Sequence, residues 1–387
     1  MKNKDKMFRL KTSTKVSIGI VLFITFFNVL SMISTEFAEW YRKYCFSKFA
    51  ILFSRVSGFV TISVGEVMIC LGIFLLIFCI IIGILGFLKI ELLKKIRKIY
   101  FRSIIYICIF IYAAETFHCF ILYHTETLED KLFKNVNSSE TDIERLLAVY
   151  NEVVINMNEL SLKVKHDKNG DLILDYTYKE CKDALRNVSD IFELLNGYYP
   201  NPKKIYYSDI MSQQYLAGIY FPFSMEANYN KLMYCSNYPS TICHELSHLK
   251  GYIREDEANF VSYVACIHSD NDYIKYSGYL SVYYYLLNDL FQYGNEDIYS
   301  RMEKPNEYAV NDNIFLKEEV FEEIEEKSII STEVLSEATD KFLDSNLKLN
   351  GVKSGMNNYN EVVRLLIFYY DTCTPSLGRT EKTMTAK

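Results

Sequence analysis

Three apolar stretches near the N-terminus most constrain what this chain can fold into. Val16–Ile33 and Val67–Leu88 carry no charge, and Ile104–Tyr123 is interrupted only by Glu115. As a helix, each is long enough to cross roughly 30 Å of hydrocarbon. A helix satisfies its own backbone hydrogen bonds, so lipid is the expected surrounding of all three. The first stretch follows a basic leader, as in a signal peptide, but no convincing small-residue cleavage site accompanies it. It reads as an uncleaved anchor.

Basic residues set the expected orientation. Lys2, Lys4, Lys6, Arg9, Lys11 and Lys15 precede the first stretch, and Lys89, Lys94, Lys95, Arg97, Lys98 and Arg102 fill the link between the second and third. The link between the first and second holds only Arg42, Lys43, Lys48 and Arg55, beside Glu36, Glu39 and Glu66. The positive-inside rule therefore predicts a cytoplasmic leader over residues 1–15, a multi-pass membrane domain over 16–124 and an extracytoplasmic domain over 125–387. Phe46–Ile62 is also rather apolar, but as a fourth span it would put the basic link outside. It is expected to lie as an amphipathic segment on the outer surface.

Charge divides the same way. Residues 1–124 hold 16 Lys+Arg and 6 Asp+Glu, whereas residues 125–387 hold 26 and 42. A domain so acidic repels nucleic acid, which is excluded as a partner. The lipid bilayer and a peptide or protein substrate are the partners expected instead. The ten cysteines are irregularly spaced and suggest no disulfide framework.

Between Thr241 and Asn259 the chain reads TICHELSHLKGYIREDEAN. His244 and His248 flank Glu245 in the H-E-x-x-H spacing. On a helix, positions four apart share a face, so both imidazoles can grip one metal ion with Glu245 toward its open side. The expected ion is Zn2+, because a water bound to zinc ionises near pH 7 and a neighbouring carboxylate can take its proton. Ser240 or Thr241 after Pro239 marks the helix start, and Gly251 marks its stop. A second helix from near Ile253 would set Glu255, Ala258, Asn259 and Ser262 on one face. Ala258 and Ser262 are small and allow two backbones to approach. Glu255 then becomes the third ligand, and Asn259 is placed to hydrogen-bond a ligand from behind. Glu257 is the rival ligand, but its face carries Phe260, Val261 and Val264 and reads as core. Cys243 points about 100° away from His244 and reads as a buried thiol.

H-E-x-x-H followed by E-x-x-A-N resembles the gluzincin metallopeptidases, in which two histidines and the first glutamate of the second motif bind zinc. The resemblance assigns those roles to His244, His248 and Glu255, with Glu245 as catalytic base. Nearly the whole chain is similar to the bacterial membrane-protein family catalogued as domain of unknown function 3810. The likeness rests on Cys243–Gly251 and Arg254–Asn259, and on Ser63–Glu66, Gly218–Asn228 and Leu347–Gly355. It implies a mainly α fold: three N-terminal transmembrane helices, then a helix-rich α+β zincin-like domain. It implies no particular substrate.

Elsewhere, helices are predicted from Thr141, where Glu144 completes a capping box, and over Tyr176–Leu195. Ile205–Asn230 is aromatic-rich, broken by Gly218 and Pro222, and suited to short strands. Gly218–Phe223 is either the edge on which an extended substrate pairs or a strand completing the core. Glu226, Asn228 and Asn230 are candidates for reaching the cleft or for capping. Tyr273–Phe291 is too short an apolar run to span a bilayer and is expected against the site helices or the membrane surface. Glu318–Glu326 reads as a solvated helix face and Glu361–Tyr370 as the last helix. Tyr359 could stabilise an oxyanion, though a packed role fits it better. His118 and Glu115, three positions apart in the third span, could make a functional polar site, but near its outer end snorkelling is the better account.

Two functions follow from these residues. The first is a membrane-anchored zinc metallopeptidase. The other is a non-catalytic metal-binding or peptide-binding envelope sensor, a role that has no need of the base Glu245.

Overall fold

The computed structural model describes residues 11–85, 91–134, 143–352 and 361–373. The leader through Leu10, Lys89, Thr141 and Tyr359 lie outside them.

The chain is mainly helical, and three helices are long and apolar enough to cross a membrane. The first is α1 (Thr12–Ile33). The second, α4 (Val64–Leu85), follows α2 (Thr35–Tyr41) and α3 (Ser47–Ser57). The third, α5 (Glu91–Glu115), continues through a π-helical turn at Thr116–Phe120 and a tight turn at Leu122–His124. Helix α1 begins ahead of the apolar stretch, at Thr12, and α5 begins at Glu91. Hydropathy marks the lipid-compatible part of a helix, whereas the hydrogen-bonded ladder runs on through lysine and arginine, which are good helix formers. Helix α3 has only 11 residues and is no fourth span. Its Ala50, Ser54 and Ser57 are buried, while Phe49, Leu52, Phe53 and Val56 face outward.

The rest of the chain packs around α6 (Ile143–Ser161), α8 (Tyr238–His248), α9 (Glu255–Ile267) and α10 (Asp272–Tyr293). Helix α10 lies against α6 and α9, with Tyr273, Tyr276, Tyr283 and Leu286 buried in the core, while Tyr284 and Tyr293 face outward. Between α6 and the sheet comes α7 (Tyr178–Asn187), shorter than the predicted Tyr176–Leu195 helix. Thr177 and Glu180 form a capping box at its start. After Asn187 the chain turns so that Phe192 and Leu195 are buried, and burial of these two side chains overrides continued helix. Helices α11 (Glu318–Lys327), α12 (Thr332–Leu349) and α13 (Val362–Cys373) follow, the last ending the described residues.

The sheet has three short strands in the order β1 (Lys203–Lys204), β3 (Glu226–Tyr229), β2 (Gly218–Phe221). Strand β1 is parallel to β3, and β2 is antiparallel to it, with Gly218 opposite Tyr229 and Phe221 opposite Glu226. The Asn230 amide donates to the Ala217 carbonyl at 2.8 Å. Hydrogen-bonded pairs alternate along an antiparallel ladder, so the main-chain groups of Gly218 and Tyr220 face the other way, toward the edge of the sheet. Among the described residues that edge is unpaired by any strand.

A polar seam joins the sheet to the apolar helices. The Glu226 carboxylate accepts from the Val64 and Gly65 amides (3.2 and 2.9 Å) and the Ser224 hydroxyl (2.7 Å), and it pairs with Lys203. Lys203 Nζ also donates to the Ser57 and Ile62 carbonyls (2.8 and 2.9 Å). Glu66 accepts from the Tyr206 and Tyr207 amides. Phe221 presses on Gly65, where a Cβ would lie 2.8 Å from the ring. Two of the stretches that carry the family likeness, Ser63–Glu66 and Gly218–Asn228, therefore meet here. His118 does not snorkel: it is buried, and its Nδ1 meets the Pro222 carbonyl.

Candidate metal centre

Helix α8 opens with Pro239 in its first turn, where the missing amide proton costs nothing. Gly251, at φ +92°, ends it. The Gly251 amide donates to His248 O (3.0 Å) and the Tyr252 amide to Ser247 O (3.2 Å), a Schellman closure that few residues other than glycine permit. The reversal buries Tyr252 and Ile253 and brings α9 back along α8. The Ser262 hydroxyl donates to Ser240 O at 2.6 Å, and Ala258 is fully buried, so the small residues do allow close approach. Helix α9 begins at Glu255 rather than near Ile253, with Arg254 at its N-cap.

The turn brings His244, His248 and Glu255 together. His244 Nε2 lies 3.0 Å from His248 Nε2 and 3.1 Å from Glu255 Oε2, and His248 Nε2 lies 3.7 Å from Glu255 Oε2. Bonds of about 2.0–2.1 Å in a tetrahedron put ligand atoms ~3.3–3.4 Å apart, so these three fit one zinc ion. His248 Nδ1 donates to the Tyr252 carbonyl (2.8 Å), which leaves the Nε2 lone pair toward the cluster. Burial works against the His248 imidazolium, but the Glu255 carboxylate outweighs it and holds the pKa up at about 9. Burial would raise Glu255, yet the two histidines hold it well below the usual carboxylate range. The side chains of His244 and Glu255 remain 14 and 18 % exposed against 5 % for His248, so access is from their side.

Glu245 is buried beside the cluster. Burial pushes its carboxyl up to about 7, against the pull of His244 and His248. The Tyr220 main chain hydrogen-bonds it, while Oε2 has no partner among the described residues. The close neighbour is Gly218, where a Cβ would lie 2.7 Å from Glu245 Cγ. The open edge of β2 thus runs directly past the carboxylate.

The other predicted residues fall elsewhere. Glu257 is buried away from the cluster, where it accepts from the Leu128 amide at 2.8 Å. Asn259 lies beside Tyr285, and its Nδ2 has no hydrogen-bond partner among the described residues. Cys243 Sγ points to the Cys181 carbonyl (3.6 Å), as a buried thiol. Glu226, Asn228 and Asn230 do not reach the cluster. Glu226 serves the seam, Asn228 Nδ2 faces Ile219 O (3.4 Å), and Asn230 donates to the Ser212 hydroxyl (2.9 Å). Sequence reasoning missed the role of Gly218, although a glycine inside a strand signals close approach. It also missed Tyr220, whose ring packs on His248 at 5.8 Å, and Tyr123, which lies in the field of Glu255. No local pattern points to either.

A family described as "Protein of unknown function (DUF3810)" matches residues 41–367, from the end of α2 into α13. The chain belongs to the DUF3810 family. The matched span of this DUF3810 protein holds the His244–His248–Glu255 cluster, the seam, and the apolar helices α4 and α5. No curated protein and no solved structure matches the chain.

Proposed function

We propose that this protein is a membrane-anchored zinc metallopeptidase with a zincin-like, gluzincin-type domain on the extracytoplasmic side. The observation that carries the reading is the cluster itself. Three ligand atoms stand 3.0–3.7 Å apart, partly open to solvent on one side, with a buried carboxylate alongside. A structural zinc site closes its fourth position with protein, while a hydrolytic one keeps it for water. His244, His248 and Glu255 would hold the ion. Zinc, when bound, supplies the Lewis acidity that makes a water nucleophilic near neutral pH. Glu245, buried beside the ligands with Oε2 unpartnered among the described residues, takes the proton of the attacking water and returns it to the leaving amine. The outward main-chain groups of Gly218 and the Tyr220 carbonyl hold the substrate extended beside Glu245, to which the Tyr220 amide donates. The basic residues of Lys94–Arg102 support a cytoplasmic side opposite the domain.

The sensor reading draws support from the seam, because Glu226 ties the sheet directly to the start of α4. One experiment separates the two. Full-length protein is purified in native and Glu245→Gln forms, assayed for metal, and incubated with a peptide library. About one equivalent of zinc in both is expected, with hydrolysis lost on the order of 100- to 10,000-fold in the variant. Undiminished hydrolysis by Glu245→Gln would refute the mechanism. Zinc below about half an equivalent in the native protein would favour the sensor.

A further inference from the structure

We infer that the polypeptide cut at this site is anchored in the same bilayer as α1, α4 and α5, and that the cut falls within a few residues of the membrane surface. The inference rests on the hydrolase reading and adds the substrate class to it.

Helix α8 points its C-terminal end at the apolar-helix end of the molecule. Beyond it, a Cβ on Gly251 would lie 2.9 Å from Arg42 Cγ and 3.4 Å from the Phe46 ring, both at the α2–α3 junction. The midpoint between His244 and His248 is only five residues from Gly251, or ~8 Å along a helix axis. Strand β2 makes the same journey from the other side. It starts at Glu245, against which Gly218 packs, and three residues later Phe221 rests on Gly65, at the start of α4. That is ~10 Å of extended chain. The end of the third apolar helix closes the arrangement: Arg254 Nη2 donates to the Tyr123 carbonyl at 2.6 Å, beside Glu255.

A substrate strand lying along β2 therefore has one end leaving the cleft about three residues from the outer end of α4, whichever way it runs. The flank of the molecule at that level is apolar. Trp40, Leu52 and Val56 are more than half exposed and Phe59 is 88 % exposed, a pattern that seats in the headgroup region. A chain emerging from the bilayer here enters the cleft almost at once. A dissolved chain gains nothing from this placement.

The test places full-length protein in vesicles with two substrates. One is a single-span peptide carrying an unstructured tail of mixed sequence, and the other is the same tail without the span. Cut sites are mapped by mass spectrometry, with Glu245→Gln as background. The anchored tail should be cut within about ten residues of the bilayer, at least ~10-fold faster than the free tail at equal bulk concentration. Tethering alone raises the local concentration of the whole tail, so distance is the deciding readout. When a 20-residue spacer is inserted next to the span, the cuts should stay near the membrane and move into the spacer. Cuts that travel outward with the original sequence, or equal rates on both tails, would overturn this inference and leave the hydrolase reading standing. No cutting of either tail above background would overturn both.

Discussion

Replacing Gly218 by alanine isolates the contact between the sheet edge and the base. The added Cβ would lie 2.7 Å from Glu245 Cγ and 2.8 Å from Cδ, against an ordinary contact of ~3.5–4.0 Å. Either the carboxylate or the strand must move by close to 1 Å. Overpacking of this kind costs ~1–3 kcal/mol, while a glycine-to-alanine change outside the left-handed region returns ~0.4–1 kcal/mol through the unfolded chain. The net loss of at most ~2–3 kcal/mol leaves the protein folded. Catalysis is more sensitive, because displacing a reacting group by about 1 Å can cost ~100-fold. Gly218→Ala should thus bind zinc like the native protein, melt slightly lower, and show kcat reduced ~10- to 100-fold on a peptide substrate. In the Glu245→Gln background the same change should have almost no further effect, since the group it displaces is already disabled. An unchanged kcat, or additive losses in the double variant, would refute the proposed contact. Loss of zinc would show that Gly218 supports the metal helix rather than the base.

Other changes probe the remaining assignments. Glu255→Ala should lower bound zinc below about a tenth of an equivalent, whereas Glu257→Gln should leave it near one, both read by metal analysis after dialysis. Glu226→Ala leaves Lys203 buried without its anion and should destabilise the protein by ~3–5 kcal/mol, seen as a lower denaturation midpoint. An unchanged midpoint would show that the seam contributes nothing. Burial raises Asp256 to about 7, so the folded state favours its protonated form, and this advantage is lost as pH rises from about 4 through 7. Asp256→Asn should therefore gain stability relative to native protein over that window and level off above it, in melts across pH. In a cysteine-free background, Leu162→Cys should react with a membrane-impermeant maleimide on intact cells and Lys11→Cys should not. The reverse pattern would invert the proposed orientation.

Much of this protein follows from spacing along the chain alone. The apolar stretches carry their own lengths, and the i, i+4 interval of His244 and His248 puts both rings on one face. Gly251 ends the helix at a position only a left-handed residue fills readily, and Glu255 is four residues beyond it. Which of Glu255 and Glu257 lies beside the two histidines was legible because adjacent-but-one positions face opposite sides of a helix, one toward α8 and one toward the core. These features depend on bond geometry and neighbours within about a turn, which the order of residues specifies.

What tertiary structure decided lies between residues far apart. Glu226 follows Val64 by 162 positions, and no periodicity says that its carboxylate caps α4 instead of entering the cleft. His118 meets Pro222 across 104 positions, and Gly218 reaches Glu245 only because β2 docks on α8. Even the end of α7 was set remotely, by the core that Phe192 and Leu195 enter. Docking of preformed elements is governed by complementary volume and by pairing of buried polar groups, and both are properties of surfaces that exist only once the chain has folded.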